Sequence, residues 1–401
     1  MPYVPPEVKE RIKREVSIQR LAEARGIKLV RSGKELIGLC PFHDDRNPSL
    51  NIDPAKNVWS CKGACGEGGD VILWVMRAEG VSFHHALEML KRDHFPLVGG
   101  PIQPVKQSTV RKLPPLIDAT ADDKKLLEIV VSYYNETLKK EPEALKYLFS
   151  RGLQSSEIID RFRLGFANRT LGLRLPKSNR AAGDAQRTRL KELGILRNQK
   201  PGHEHFNGSL VIPIFNLAGE VVEMYGRKIT SSLREGTPLH LYLKGEHRGV
   251  WNEEALMASK EIILCEALID ALTFWCAGFR NVTASYGVNG FTADHRAAFE
   301  RHGIKRVYIA YDRDDAGDKA AAKLAEELIE MGVECFRVQF PKGMDANEYA
   351  LKVTPAAKSL GVMLNRAAWL GKGQRPANPS LPQLPASLPP SLPSRNRELF
   401  L

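Results

Sequence analysis

Short apolar runs alternate with amphipathic segments over the C-terminal half of the chain. The runs EIILCEA, VTASYG, VYIAYD and ECFRVQF lie between residues 261 and 340 and have the length and apolar content of strands buried on both faces. The segments between them carry apolar residues at helical spacing, most clearly AGDKAAAKLAEELIEMG. Strands that alternate with helices in this way predict a parallel sheet wrapped by helices.

The N-terminal half mixes both periodicities. Helical patterns run through PEVKERIKREVSIQRLAEARGI, from residue 6, and VILWVMRAEGVSFHHALEMLKR, from residue 71. The stretches SLVIPIFN and EVVEMYGRKI are apolar and β-branched, and they predict strands beginning near residues 209 and 220. We therefore expect a mixed α and β region ahead of the parallel sheet.

Glycine and proline punctuation predicts the domain boundaries. The stretch from residue 98 to 123 is typical of a linker, and the C-terminal segment from 371 to 401 holds seven of the 25 prolines and cannot bury a core. We expect three folded domains, and the predicted segments are 1–97, the linker 98–123, 124–255, 256–370 and the disordered, Pro-rich tail 371–401.

The charge balance indicates a polyanionic partner. The 401 residues include 58 Lys and Arg against 47 Asp and Glu, a net charge of +11, which favours nucleic acid because basic side chains release the counterions condensed on phosphates. We predict no membrane contact, since no apolar run approaches the roughly 18 residues of a span. Six cysteines in a chain of this length, three of them clustered with a histidine, indicate metal binding in a reducing cytoplasm.

The clustered residues have zinc-ligand spacing. Cys40-Pro-Phe-His43 is a C-x2-H pair, and Cys61-Lys-Gly-Ala-Cys65 is a second pair, with 17 residues between the two. Thiolate and imidazole ligands in two such pairs can close a tetrahedron around one Zn²⁺. Four protein ligands leave no open position, so we predict a structural site.

Basic and aromatic residues surround these ligands. Lys62 and Trp59 are close to the second pair, and Phe42 lies within the first. This mixture suits single-stranded nucleic acid, with charge for phosphates and ring faces for bases, so Trp59 and Lys62 are candidate nucleic-acid contacts. The alternative is that Phe42 and Trp59 pack a small core held together by the metal.

Acidic residues follow three of the predicted strands. Glu266 follows EIILC, Asp312 and Asp314 follow VYIAY, and Asp345 follows the loop after ECFRVQF. The carboxyl ends of parallel strands meet at one edge of a sheet, so these side chains are expected to converge there. Carboxylates suit Mg²⁺ or Mn²⁺, which can offset the charge that develops in phosphoryl transfer.

These motifs together resemble the bacterial-type DNA primases of the DnaG class. LCPFHDDRNPSLNIDPAKNVWSCKGACGEGGDVI is similar to their CHC2 zinc ribbon, and KYLFSRGLQSSEIIDRFRLGFA to the opening of their RNA-polymerase core. SLVIPIFNLAGEVVEMYGRKI with HLYLKG resembles the template-handling part of that core, while CEALIDA, YDRDDAG and KGMDANEYA resemble its Toprim part. The resemblance covers roughly residues 5 to 360 in family order. It implies a multidomain α/β fold: a zinc-binding domain, a mixed primase core and a Rossmann-like Toprim sheet.

The resemblance also implies roles for individual residues. Glu266 would be an acid/base or a metal ligand in nucleotidyl transfer, and Asp312 and Asp314 would be catalytic ligands of the divalent ions. Asp270 and Asp345 would complete that metal site. The implied template or nucleotide contacts are Arg151, Arg227 and Lys228.

The function so implied is that of a DNA primase, a nucleotidyltransferase that synthesises short RNA primers on single-stranded DNA during DNA replication. The expected partners are single-stranded DNA, ribonucleoside triphosphates and a replicative helicase, although the chain leaves no room for a folded helicase-binding domain. A plasmid, phage or transposable-element replicon is therefore favoured. The chain departs from the family pattern at 207–209, where arginines are usual, at Leu241, where a lysine is usual, and at Asn347, where an aspartate is usual.

Two other functions stay open. A Toprim nuclease or topoisomerase would use the same acidic chemistry to cleave strands, but no tyrosine with a nucleophile context stands out. A degenerate primase would be a zinc-dependent single-stranded-DNA-binding protein. It would keep its function when the acidic residues are changed and lose it when the zinc ligands are changed.

Overall fold

The chain divides into two compact units. A computed structural model describes residues 5–81, 83–94, 122–175, 181–198, 203–230, 232–233, 235–372 and 374–376. The first unit comprises Met1–Leu126, Ala167–Ser209 and Thr230–Thr237. The second unit comprises Leu127–Phe166, Leu210–Ile229 and Pro238–Leu401. The predicted linker lies almost entirely outside the described residues, as does the tail from residue 377 onwards.

The N-terminal part of the first unit is an antiparallel sheet flanked by four helices. Its five strands follow one another in the order β1-β2-β3-β4-β5, and each pairs with the next in antiparallel orientation. The elements are α1 (Pro6–Glu15), α2 (Ile18–Glu23), β1 (Val30–Ser32), β2 (Glu35–Gly38), β3 (Leu50–Asp53), β4 (Val58–Cys61), β5 (Gly68–Gly69), α3 (Val71–Glu79) and α4 (Phe83–His94).

Each of the two helical patterns predicted here forms two helices rather than one. Ser17 interrupts the first, because its extended backbone lets the side chain accept the Arg20 N–H and cap α2. Gly80 interrupts the second, since its φ of +64° ends α3 in the left-handed region. Both breaks fold the helices back onto a shared core that includes Ile12, Leu21 and Trp74.

The middle of the chain contributes helices and a four-stranded sheet of order β6-β7-β8-β9. The predicted strands at 209 and 220 are confirmed as β7 and β8. The elements are α5 (Asp123–Lys139), α6 (Pro142–Ser150), α7 (Ser156–Arg161), β6 (Gly165–Ala167), α8 (Leu171–Arg174), α9 (Ala181–Glu192), β7 (Ser209–Phe215), β8 (Val221–Lys228) and β9 (His240–Tyr242).

The C-terminal part of the second unit is the predicted parallel sheet. Its order is β11-β10-β12-β13-β14; the first four strands are parallel, and β14 is antiparallel to β13. The elements are α10 (Glu253–Ala258), β10 (Glu261–Cys265), α11 (Leu268–Cys276), β11 (Val282–Ala284), α12 (Ala293–His302), β12 (Arg306–Ala310), α13 (Asp315–Glu330), β13 (Glu334–Arg337), α14 (Ala346–Lys352), α15 (Ala356–Asn365) and β14 (Ala368–Trp369).

Both faces of this sheet are buried, as the continuous apolar runs predict. Ile263 and Tyr308 belong to the core on one face, while Leu264 and Val307 belong to the core on the other. Neighbouring residues of a strand point to opposite faces, so helices cover the sheet on both sides. The strands β10 and β12 are adjacent and central, which brings their carboxyl ends together.

Within the described part of the chain, every helix is too short or too polar to span a lipid bilayer.

Candidate zinc centre and candidate acidic metal site

The four predicted zinc ligands lie together. Cys40 follows β2, Cys61 ends β4, and Cys65 lies in the turn before β5, so the strand pairing brings both pairs to one end of the sheet. Their ligand atoms, with those of His43, all lie within 4.8 Å of one another. The Cys40 and Cys65 Sγ atoms are 3.6 Å apart, and Cys61 Sγ is 3.8 Å from His43 Nδ1. A tetrahedral zinc with Zn–S bonds of about 2.3 Å has edges of about 3.8 Å, so the four residues fit the ion.

The local bonding favours a thiolate at Cys65, while the hydrogen bond between Cys65 and Cys40 raises the pKa of Cys40. A hydrogen bond from the Cys40 thiol lowers the pKa of Cys65 to about 5. The Gly63 N–H donates to Cys61 Sγ at 3.2 Å. Thiolate is the form that binds metal, so the contact between Cys40 and Cys65 favours that form at Cys65.

Asp45 contacts two of the predicted zinc ligands, Cys40 and His43, and was not identified from the sequence. Its carboxylate accepts the Cys40 N–H at 2.7 Å and the Ser49 hydroxyl at 2.6 Å. Its other oxygen lies 3.4 Å from His43 Nε2, while Nδ1 of that ring faces Cys61. Such an outer carboxylate fixes the orientation of a ligating imidazole. The signal that could have revealed it is an acid two residues after a histidine ligand.

The two candidate nucleic-acid contacts of this domain differ in exposure. Trp59 is only 2% exposed and packs against Phe42 and Trp74, with ring centroids 4.9 and 5.2 Å away. Its position favours the core-packing alternative over base contact. Lys62 is exposed and has Glu35 3.8 Å away, so its ammonium is accessible to a ligand.

The predicted acidic residues meet at the carboxyl edge of the parallel sheet. Glu266 directly follows β10, and Asp312 follows the adjacent strand β12. Asp314 and Asp345 are the N-caps of α13 and α14, where their side chains accept the N–H groups of residues 317 and 348. These caps fix both carboxylates at the same edge while occupying one oxygen of each.

The acids perturb one another. Burial and the nearby charge of Asp312 raise the pKa of Glu266 to about 7. Burial and the charges of Asp345 and Asp314 raise the pKa of Asp312 to about 6. Burial, with the Asp345 and Asp312 charges, also raises the pKa of Asp270. Carboxyls whose pKa values are raised by burial and by neighbouring carboxylates are candidates for acid–base chemistry or for binding a cation.

The acidic edge offers a carboxylate oxygen to a divalent ion. Glu266 Oε2 is buried and has no hydrogen-bond partner, so it lacks the partner that a cation would supply. Among the described residues, no three of these carboxylates bring oxygens within 4.8 Å of one another. Mg²⁺ commonly keeps several ligands from water and phosphate, so it does not require three protein carboxylates in contact with one another.

Arg337 is a buried cation at this edge that sequence reasoning missed. It is 5% exposed and donates to the carbonyls of Tyr311 and Asp312 at 2.8 and 2.9 Å. It also donates to the Asp318 carboxylate at 2.8 Å. The guanidinium therefore ties down the chain that presents Asp312. In the sequence it lies within a strand pattern, where nothing marks it as part of the site.

Asn347 links Asp270 to Arg151. Its backbone N–H donates to the Asp270 carboxylate at 2.9 Å, and its side-chain N–H₂ donates to the Arg151 carbonyl at 2.7 Å and to the Thr273 hydroxyl at 2.8 Å. The Arg151 guanidinium in turn donates to the Asn347 side-chain oxygen at 3.2 Å. The residue that departs from the family pattern is thus fully bonded and 1% exposed.

The remaining predicted groove residues lie on β8. Arg227 contacts the imidazole of His240, whose other nitrogen is 2.8 Å from the Tyr225 hydroxyl. Lys228 is 8% exposed, so its ammonium has little contact with solvent. Arg227 is the more accessible of the two.

Comparison with known families matches three successive segments. Residues 4–96 match the CHC2 zinc finger, residues 133–243 match the N-terminal domain of the DNA primase catalytic core, and residues 263–350 match the Toprim-like family. The zinc finger implies zinc, and the Toprim-like segment indicates a divalent ion.

Curated relatives are similar in sequence over most of the chain. The DNA primase of Aquifex aeolicus is 30% identical over 352 residues, which cover 85% of this chain and 65% of that protein. The DNA primase of Listeria monocytogenes is 27% identical over 87% of this chain and 56% of that protein. The chain therefore spans between half and two thirds of the length of these relatives.

Solved structures share the fold. The zinc-binding and RNA polymerase domains of the Aquifex aeolicus primase align with 92% of this chain and 87% of that one, with 25% identity and a TM-score of 0.52. A DnaG primase catalytic domain bound to single-stranded DNA aligns with 62% of this chain and 79% of that one, with 24% identity and a TM-score of 0.52.

Proposed function

We infer that this chain, which belongs to the DnaG-type DNA primases, copies single-stranded DNA into short RNA primers. The observation that carries this proposal is the acidic edge, where Glu266 and Asp312 lie at the ends of adjacent strands and both have pKa values raised by burial and by neighbouring carboxylates. The zinc centre and the matches to primase families support it. Curated relatives over most of the chain are DNA primases.

The acidic edge suits nucleotidyl transfer. Mg²⁺ or Mn²⁺ held by Glu266, Asp312 and Asp314, with Asp270 and Asp345 beside them, would offset the charge that develops on the phosphates. A carboxyl with a pKa of about 7, as in Glu266, can accept the proton of an attacking 3′-hydroxyl at neutral pH.

The basic residues suit a nucleic-acid template. Arg151 and Arg227 both belong to the second unit, as do the acids, and would neutralise phosphates of the template or nucleotide. Lys62 lies beside the zinc ligands and is exposed, so it would contact single-stranded DNA when the zinc domain selects a start site.

Primer synthesis is the direct test. The full chain is incubated with single-stranded DNA templates of varied sequence, Mg²⁺ or Mn²⁺, and labelled ribonucleoside triphosphates, and short RNA is the expected product. Asp312→Asn should reduce the yield by roughly 100-fold or more, since a ligand charge is lost. Asp315→Asn is the matched control: that residue is exposed and lies next to the site, and its variant should keep the yield within about twofold.

Other outcomes identify the alternatives. Absence of RNA from the intact chain on every template, with binding of single-stranded DNA retained, would replace the proposal with the degenerate binding protein. Cleavage of the template, lost in Asp312→Asn, would replace it with the Toprim nuclease.

A further inference from the structure

Glu223 is a buried carboxylate outside the acidic edge. It lies in β8, is 2% exposed, and accepts the backbone N–H groups of Met224 and Leu243 at 2.8 and 2.9 Å. Its second oxygen lies 3.0 Å from His247 Nδ1. Burial of a carboxylate costs free energy unless the group is hydrogen-bonded. These three contacts supply the hydrogen bonds that Glu223 needs.

The Glu223 contact fixes the His247 ring. Tyr242 and Tyr286 pack against the imidazole, with ring centroids 4.3 and 4.9 Å away. The side chain remains 31% exposed, and Nε2 has no hydrogen-bond partner among the described residues. The ring is therefore held in one orientation with a single nitrogen available to a ligand.

The ring cluster adjoins the acidic edge. Tyr286 lies in the loop after β11, where the Gly287 N–H donates to the carbonyl of Glu266 at 3.1 Å. Lys244 and Arg248 are exposed on the same short segment as His247, and so is Glu246. Three features therefore lie in one region: Nε2 of His247, the cations of Lys244 and Arg248, and the carboxyl ends of the strands.

We propose that the Glu223–His247 pair binds a diphosphate unit at the acidic edge, as carried by an incoming nucleoside triphosphate or by released pyrophosphate. Nε2–H donates to a phosphate oxygen, and Glu223 supplies the counter-charge for the imidazolium through Nδ1–H. The proposal rests on primer synthesis as the function, because that reaction brings a triphosphate to the edge and leaves pyrophosphate there.

The chain offers a matched control pair. His302 Nε2 lies 2.9 Å from the Glu253 carboxylate, which makes a second histidine–glutamate pair in the same unit. His302 ends α12 just before β12 begins, so it lies at the amino edge of the sheet, opposite the acids. Its ring should not respond to diphosphate.

The test is imidazole NMR of the full chain. Histidine is ¹⁵N-labelled, His247→Ala and His302→Ala assign the two rings, and pyrophosphate or an α,β-methylene nucleoside triphosphate is titrated without divalent ions. The His247 ring signal should shift with saturation while that of His302 stays in place. His247→Ala and Glu223→Gln should each weaken binding by about tenfold, as expected for one charge-assisted hydrogen bond. A response to only one of the two ligands identifies which source of the diphosphate is bound.

Two results would overturn the inference: equal responses of the two rings, or unchanged affinity in His247→Ala with the fold retained by circular dichroism. Primer synthesis assayed on the same samples separates the two proposals. RNA product without a His247 response removes this site alone, whereas a His247 response without RNA removes primer synthesis alone.

Discussion

At the scale of single residues, Arg337 tests how the acidic edge is held. Arg337→Met should lower the free energy of unfolding by roughly 2–4 kcal/mol, because the carbonyls of Tyr311 and Asp312 and the Asp318 carboxylate lose a buried partner. Mn²⁺ affinity should fall by about tenfold, since Asp312 is no longer held in position. Denaturant unfolding and Mn²⁺ electron paramagnetic resonance measure the two effects.

Arg313→Met is the control for that prediction. Arg313 also donates to Asp318, at 2.9 Å, but its side chain is 24% exposed. Its loss should cost less than about 1 kcal/mol. Equal destabilisation by the two variants would show that the contacts of Arg337 with the main chain are unimportant.

Asn347 gives a second prediction, because an aspartate there would match the family pattern. Asn347→Asp should destabilise the chain by roughly 2–3 kcal/mol: a carboxylate cannot donate to the Arg151 carbonyl or the Thr273 hydroxyl, and its charge would be added beside Asp270. Denaturant unfolding at pH 7 measures it. A variant as stable as the parent would mean that the aspartate is accommodated by its contact with the Arg151 guanidinium alone.

His295 predicts a pH dependence of stability. It is fully buried, with Nε2 3.0 Å from the Ala284 carbonyl, and burial lowers its pKa to about 4. The unfolded chain binds a proton near pH 6.5 and the folded chain does not, so stability falls as the pH drops from about 6.5 towards 4. Asp294 and His247 are the neighbouring titratable groups.

The His295→Gln variant isolates that effect. Its free energy of unfolding, measured between pH 4.5 and 6.5, should change less steeply than that of the parent, by up to about 1.4 kcal/mol per pH unit. Parallel curves for the two proteins would exclude a neutral buried His295. The variant's lower absolute stability does not affect the comparison of slopes.

Residues in spaced motifs could be predicted, whereas residues defined by tertiary burial could not. Cys40 and Cys61 belong to pairs whose spacing indicates a metal, and Glu266 follows an apolar strand. The sequence therefore indicated which residues lie near each of them. Arg337 is a lone cation in an apolar run, and Glu223 is one of three charged residues in the otherwise mainly apolar strand β8. Their contacts depend on which chain segments pack beside them, which the local pattern does not encode.

At the scale of elements, Gly80 tests how the zinc domain folds back on itself. Its φ of +64° ends α3, and a Cβ there would meet no atom within 4 Å. Gly80→Ala should therefore cost about 1 kcal/mol from backbone strain alone, with no steric clash. Gly172→Ala is the control, because that glycine lies in α8 with ordinary φ and its nearest atom is 3.9 Å away; it should be neutral or slightly stabilising. Thermal unfolding of both variants decides between strain and packing.

Element types were predictable where periodicity is strong, and element ends were not. The strands β10 and β12 follow apolar runs, and α13 follows a long amphipathic pattern, so the sequence indicates all three. The helix break at Ser17 depends on a cap that competes with helix continuation, and periodicity continues across it. No sequence pattern marks the short strand β14. It consists of two residues, and their pairing with β13 depends on where the tertiary fold places them.

At the scale of the whole molecule, the net charge of +11 predicts how the proposed binding of single-stranded DNA depends on salt. Each phosphate of single-stranded DNA that the protein neutralises adds about −0.7 to the slope of log affinity against log salt. We expect the Arg227 guanidinium to leave His240 and neutralise one phosphate. Arg227→Ala should then make the slope shallower by about 0.7. Arg301→Ala removes an equal charge at the amino edge of the sheet, where Arg301 pairs with Glu253 3.1 Å away, and should leave the slope unchanged. Fluorescence anisotropy with labelled single-stranded DNA from 50 to 300 mM NaCl, roughly the range over which this term dominates, measures both variants. An equal loss of slope in both would mean that total charge, rather than the position of Arg227 in β8, governs binding.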